Sequence, residues 1–157
     1  LGTDAARGGA WQRADPAATA YQAGSVTSGR SALVTGAAAG SSVGANDIDG
    51  GPTTVRSPAV TLPDVVGALT FRYYFAHASN ASSADVFRAY VQAEDGTLTL
   101  VRQEAGAANT DRPAWASVSV PLTPWAGQTI RILFSAQDRG TASTIEAAVD
   151  DVRITQP

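Results

Sequence analysis

The sequence predicts an all-β fold, an antiparallel two-sheet β-sandwich of jelly-roll (galactose-binding-like) type. Three observations carry that expectation. Apolar and polar residues alternate strictly over several stretches of the second half, the period of a half-buried strand. Asp-Gly, Asp-Pro and Ser-Pro pairs punctuate the chain between such stretches. Nowhere does an apolar pattern of helical period run beyond about two turns. Short alternating segments separated by turn chemistry belong to sandwiches and barrels.

Residues 1–157 are read as a single β-sandwich domain excised from a larger secreted protein. A chain of this length buries about 70% of its unfolded surface without staples. The segment Leu1 to Ser31 is rich in Ala, Gly, Ser and Thr, with Trp11 and Tyr21 as its large anchors. Irregular structure with short edge strands is expected there, with Trp11 against the core. A short strand follows over Ser31–Thr35, then tiny residues from Gly36 to Gly44. After an acidic loop come Thr53–Arg56 and Ala59–Leu62, split by Ser57-Pro58. Proline donates nothing to a ladder, so this pair belongs at a sheet edge or a bend.

From Leu69 the alternation is strong. Leu69, Phe71, Tyr73 and Phe75 share one face, and Phe87, Ala89, Val91 and Ala93 share one face of the next strand. Glu94-Asp95-Gly96 turns the chain into Thr97–Val101 as a hairpin. Trp115–Pro121 forms another strand, and Ile130, Ile132 and Phe134 line the core side of the one after. In the last strand Ile145, Ala147 and Val149 are odd-numbered, whereas Val152 and Ile154 are even-numbered. A regular strand cannot turn both sets inward, so a β-bulge is expected at Asp150-Asp151.

The net charge of −3, with all eleven basic residues arginine, leaves no basic patch for nucleic acid. Cys and Met are absent, which removes disulfides, thiol nucleophiles and Cys-based zinc sites. No apolar run has the length of a membrane span, and no signal peptide is visible. His77 is the one histidine, which leaves catalytic triads and zinc hydrolases without a second partner. No flanking motif marks Glu94, Glu104 or Glu146 as glycosidase carboxylates.

The stretch Asn46-Asp47-Ile48-Asp49-Gly50-Gly51 is the most informative. Calcium takes six to eight oxygen ligands from carboxylates, amides and carbonyls. Asp47 and Asp49 stand at i and i+2, and the glycines free the backbone to turn a carbonyl inward. A solvated Asx turn is the alternative reading. Asp150 and Asp151 form a second acidic pair that needs a cation or an arginine fork (Arg153, Arg56 or Arg139) if buried. The expected structural Ca2+ site joins Asp47, Asp49, Asp150 and Asp151, with Asp85 and Asp15 as weaker candidates. Tyr74 and Tyr90, which share strand faces with Arg72 and Arg88, are the expected ligand-binding surface.

Three segments resemble a known type of module: Leu33-Val34-Thr35-Gly36 through the acidic loop to Ala59, Tyr73 to Phe87, and Glu146-Ala-Ala-Val-Asp-Asp-Val-Arg153. They are similar to the jelly-roll domains at the C-terminus of secreted bacterial metallopeptidases, zinc carboxypeptidases and immune-inhibitor-A-like proteases among them. These domains are related in pattern to MAM and carbohydrate-binding jelly rolls. The resemblance implies an extracellular, calcium-stabilised, non-catalytic domain whose partner is a parent catalytic domain, with a polysaccharide or protein substrate as possible ligand. The acidic positions it carries over are Asp47, Asp49 and one or both of Asp150 and Asp151. Such modules commonly begin with a Phe-Glu strand, and none precedes Trp11 here.

Overall fold

The computed structural model describes residues 4–38 and 40–157. Its first strands are short: β1 (Ala6–Gly8), β2 (Trp11–Ala14), β3 (Ala32–Thr35), β4 (Asp49–Gly50), β5 (Pro52–Arg56) and β6 (Val60–Thr61). The later ones are long: β7 (Ala68–His77), β8 (Val86–Ala93), β9 (Leu98–Ala105), β10 (Ala116–Pro121), β11 (Thr129–Gln137) and β12 (Ile145–Ile154). Among the described residues the one helical element is a 3-10 turn at Thr123–Trp125.

Two antiparallel five-stranded sheets face each other. The first has the order β10-β7-β12-β3-β2, and the second runs β5-β11-β8-β9 with β6 added beside β5 on β11. β1 and β4 pair as a separate ribbon. β2 and β12 lie on opposite sides of β3, each antiparallel to it, so those two run parallel. The expected edge position of the Ser57-Pro58 pair is observed, since β5 and β6 share one flank of β11.

The alternating residues meet between the sheets. Leu69, Phe71, Tyr73 and Phe75 from β7 pack on Phe87, Ala89 and Val91 from β8 and on Ile130, Ile132 and Phe134 from β11. Phe71 meets Phe134 edge-on at 5.1 Å, and Tyr73 stacks on Phe87 at 4.8 Å, geometries that add to simple burial. Trp11 leans on this core, and its indole Nε1 donates to the Thr53 carbonyl at 3.1 Å.

A second apolar cluster lies on the outer side of the first sheet. Tyr21, Ala23 and Val26 from the segment between β2 and β3, with Trp115, cover Val34, Tyr74, Ala76 and Ala148. Gln22 ties that segment down through two donations from Nε2, to the carbonyls of Ala17 (2.8 Å) and Ala37 (3.2 Å).

The bulge in β12 is present. Its register with β7 shifts between Asp150 and Arg153, and Asp151 adopts φ 53°. Ile154 returns to the core, as its parity requires, but Val152 is 42% exposed. Val152 nevertheless lines a recess with Leu33, Val55, Ile132 and Phe134, residues of the core side, so the bulge turns both side chains of the expected pair toward the space between the sheets.

Candidate functional site

One end of the sandwich gathers the acidic side chains. The loop Asp47–Gly50 crosses this end and clamps strands of both sheets. The Ile145 amide donates to Asp47 Oδ2 at 3.2 Å, and the Ile48 amide donates back to the Ile145 carbonyl at 3.3 Å. On the other side the Asp138 amide donates to the Gly50 carbonyl at 3.1 Å, and the Gly50 amide to Asp138 Oδ2 at 3.4 Å. Two glycines allow this close crossing. A Cβ on Gly36 (φ 57°) would stand 1.7 Å from the Asn46 carbonyl oxygen, and one on Gly9 (φ 63°) 2.4 Å from that of Asp47. Both positions are closed to side chains for steric and conformational reasons alike.

Asp85 precedes β8, Asp138 follows β11, and Ser143 lies just before β12, so the antiparallel ladders bring them to the same end. The Ser143 hydroxyl lies 2.9 Å from Asp138 Oδ1 and 3.2 Å from Asp85 Oδ2, and its single proton serves one of them at a time. Asp85 also accepts from the amides of Ser82 (2.7 Å) and Arg139 (2.7 Å). Asp47, Asp85 and Asp138 are 4%, 0% and 2% exposed, respectively. Glu146, buried on β12, accepts from Thr35 Oγ1 at 2.8 Å.

None of these four carboxylates has an arginine partner. The ion pairs among the described residues, Arg102–Glu104 at 3.2 Å and Arg153–Asp151 at 2.7 Å, lie elsewhere. For three of them burial outweighs the hydrogen bonds they accept. It pushes Asp47 up to about 7, helped by repulsion from Asp49 and Asp138, and Glu146 up to about 9. Asp138 is raised as well, again mainly by burial. Among the described residues no three His, Asp or Glu side chains converge into a ready-made metal cage. The donor set is nonetheless all oxygen, the chemistry of a hard cation. A cleft of about 550 Å³ opens beside it, with Asp49, Asp138, Arg7 and Arg139 on its walls.

The second acidic pair is in a different place. Asp47 is tied to Ile145, five residues from Asp150 along β12, a strand distance of about 16 Å. Asp150 Oδ2 accepts from the amides of Thr27 (2.9 Å) and Ser28 (3.1 Å), and Asp151 Oδ1 from the Ser28 hydroxyl (2.6 Å). The Ser28 hydroxyl bond, the Thr27 hydroxyl and, less, the guanidiniums of Arg153 and Arg72 hold Asp151 below the usual carboxylate range. The bulge does aim both carboxylates at one spot, but that spot is the Thr27-Ser28 turn. The grouping of Asp150 and Asp151 with Asp47 and Asp49 is thus corrected: Thr27 and Ser28 are the partners of the pair, and Arg153 reaches Asp151 alone, through one contact at 2.7 Å.

The Tyr/Arg surface is corrected too. Tyr74 and Arg72 are on β7 in the first sheet, whereas Tyr90 and Arg88 are on β8 in the second, so they share no surface. Tyr74 is 2% exposed and sits edge-on to Trp115 at 4.9 Å beneath the 15–30 segment. Arg72 lines a recess beside Asp151 and Arg153. Asp15 is exposed. His77 closes β7, buried, and its Nδ1 lies 3.2 Å from the Ala78 carbonyl.

Asp138, Ser143 and Glu146 are the residues that sequence reasoning missed as parts of the acidic end. A signal for two of them was present. Extending the inward parity of Phe87 and Ala89 backwards reaches Asp85, that of Phe134 and Ala136 forwards reaches Asp138, and that of Ile145 backwards reaches Ser143.

The class this geometry defines is the antiparallel jelly-roll β-sandwich, and one solved structure is similar to it at the level of fold. No family model matches the sequence, and no curated protein does. Among solved structures, the K2 cleaved adhesin domain of Lys-gingipain is similar, with a TM-score of 0.53 and 18% identity over 96% of this chain and 84% of that one. A structure described as a CBM4 aligns over 80% of this chain and 84% of its own, with a TM-score of 0.40 and 18% identity.

Proposed function

We propose that this chain is a non-catalytic, calcium-stabilised binding domain of a secreted bacterial hydrolase, with a peptidase as its catalytic partner. The observation that carries the reading is the division of labour in the fold. The 15–30 segment covers the half of the first sheet's outer face around Val34, Tyr74, Ala76 and Ala148, while the outer face of the second sheet keeps Tyr90, Arg88 and Gln92 within reach of solvent. The likeness of the fold to an adhesin domain supports a binding role. A carbohydrate-binding module of a glycan-degrading enzyme is the second reading, favoured by the aromatic ring of Tyr90 among amide side chains. A purely structural role in folding or secretion is the third.

Calcium is proposed at the acidic end, held by Asp47, Asp49 and Asp138 with backbone carbonyls, and with Asp85 beside them. Burial of unpaired carboxylates is costly, and a divalent cation offsets that cost. An ion bound to the folded state alone raises the melting temperature by mass action. EGTA should lower the melting temperature, and Asp138→Asn should remove most of the difference. Equal melting with and without calcium would leave these carboxyls protonated or hydrogen-bonded, with no metal role. For the binding role, retention on a panel of polysaccharides and proteins should fall with Tyr90→Ala. Tyr74→Ala, by contrast, should only destabilise.

A further inference from the structure

The outer face of the second sheet has a charge pattern at odds with the rest of the chain. Its floor follows from register. Phe134, Ala136, Phe87 and Ala89 point to the core, so Arg131, Leu133 and Ser135 on β11, and Arg88, Tyr90 and Gln92 on β8, point away from it. On β5 the same parity turns Thr54 and Arg56 outward, and on β9 it turns Leu100 and Gln103 outward. Leu133 is 3% exposed yet belongs to neither apolar cluster. It forms the bottom of a shallow trough whose sides are Arg56 on one neighbour and Tyr90 on the other, both directly opposite it in the ladders.

Around Tyr90 stand three arginines. Arg88 is two residues along the same strand, Arg131 is opposite Gln92, and Arg56 is two strands away, roughly 10 Å. Arg88 Nε donates to Gln103 Oε1 at 2.8 Å and Arg131 Nη1 to the Ser57 carbonyl at 3.1 Å, which orients both without neutralising either. None of the three has a carboxylate partner among the described residues. No Asp or Glu holds an outward position on β5, β8, β9 or β11, although the chain carries fourteen acids against eleven arginines. At the hairpin end the trough deepens into a recess of about 290 Å³ between Arg56, Arg131, Gln92 and Thr129, with Glu94 at its end.

Building on the binding role above, we infer that this trough takes an anionic polysaccharide, one bearing carboxylate or sulfate groups on its rings. Charge complementarity selects the anion: a guanidinium grips a carboxylate or sulfate through two parallel hydrogen bonds. The glycan is selected by the rest of the lining. Tyr90 offers an aromatic ring for a sugar, and Gln92, Gln103 and Thr54 offer both donors and acceptors to hydroxyl groups. An acidic peptide would use the arginines but leave that hydroxyl-matching set idle.

Affinity electrophoresis of the whole chain through gels containing polygalacturonate, dextran sulfate, neutral dextran or poly-glutamate tests this. Retardation is expected with polygalacturonate or dextran sulfate and not with dextran, and the arm that retards names the anionic group. It should weaken as salt rises and fall about tenfold in both Arg88→Gln and Arg131→Gln, as for a lost charged hydrogen bond. Arg56→Gln, at an exposed side chain with no hydrogen bond to lose, repeats the test should either variant melt early. Equal retardation by dextran, insensitive to the arginines, would overturn the anion while leaving the binding role standing. Retardation by poly-glutamate as strong as by the glycans would overturn the glycan, and retardation by none would overturn the anionic polysaccharide, leaving the binding role to be decided by the wider panel of polysaccharides and proteins.

Discussion

At the scale of single residues the chain buries groups whose preferences oppose their surroundings, and each has a measurable consequence. Glu146 lies among apolar neighbours with Thr35 as its hydrogen-bond donor, and its carboxyl is raised from an ordinary 4.5 to about 9. The folded state therefore holds a proton that the unfolded chain releases above about 4.5. Linkage makes the sign explicit: this contribution is full below the unfolded value and is lost as pH rises through about 9. In calcium-saturated buffer the melting temperature should fall between pH 5 and pH 9, and Glu146→Gln, which keeps the Thr35 bond, should flatten the profile. A wild-type profile as flat as the variant's would show that Glu146 is already ionised in the fold. Gly36 makes the opposite demand. Gly36→Ala forces a Cβ into the Asn46 carbonyl at positive φ, and a loss of about 2 kcal/mol or more is expected in urea titration.

At the scale of elements, the sheet interior was legible in the sequence and the acidic grouping was only partly so. Strict alternation in β7, β8 and β11 assigns the core faces because a side chain's direction in a strand is fixed by parity alone. The same rule exposed the bulge at Asp150-Asp151. It could not say where the bulge points, because that depends on the Thr27-Ser28 turn, more than 120 residues away in sequence and free of any periodic signal. The Tyr74 error has the same origin. Parity correctly turned Tyr74 away from the main core, but a segment rich in Ala, Gly and Ser gave no warning that it would cover that face. The role of the turn can be checked. Thr27→Val removes the hydroxyl between the two carboxylates, and the 15–30 segment should then be cut faster by protease, with little change in the rest of the sandwich. Unchanged cleavage would mean that Gln22 and Tyr21 hold the segment by themselves.

At the scale of the whole molecule, the arrangement of the sheets separates two tasks. One end is tied and part of one face is covered: the acidic loop joins β11 to β12, and the 15–30 segment covers the half of the first sheet around Tyr74. The second sheet is left open on its outer side, and that asymmetry is what the binding reading rests on. The ladders also fix how the domain would bear load. β2 begins at the acidic end, where the Ala5 amide donates to the Pro52 carbonyl, and β12 finishes at the far end, where the Thr155 amide donates to Ala68. Because β2 and β12 run parallel on either side of β3, tension applied at residues 4 and 157 would slide whole ladders past one another in shear. Tension at residues 68 and 121, across the antiparallel β7–β10 pair at the sheet edge, would open bonds one at a time like a zip. Single-molecule pulling should therefore find a much higher rupture force for the first geometry than for the second. A domain strung between neighbours through its terminal strands would thus resist being stretched by flow or by a tethered surface.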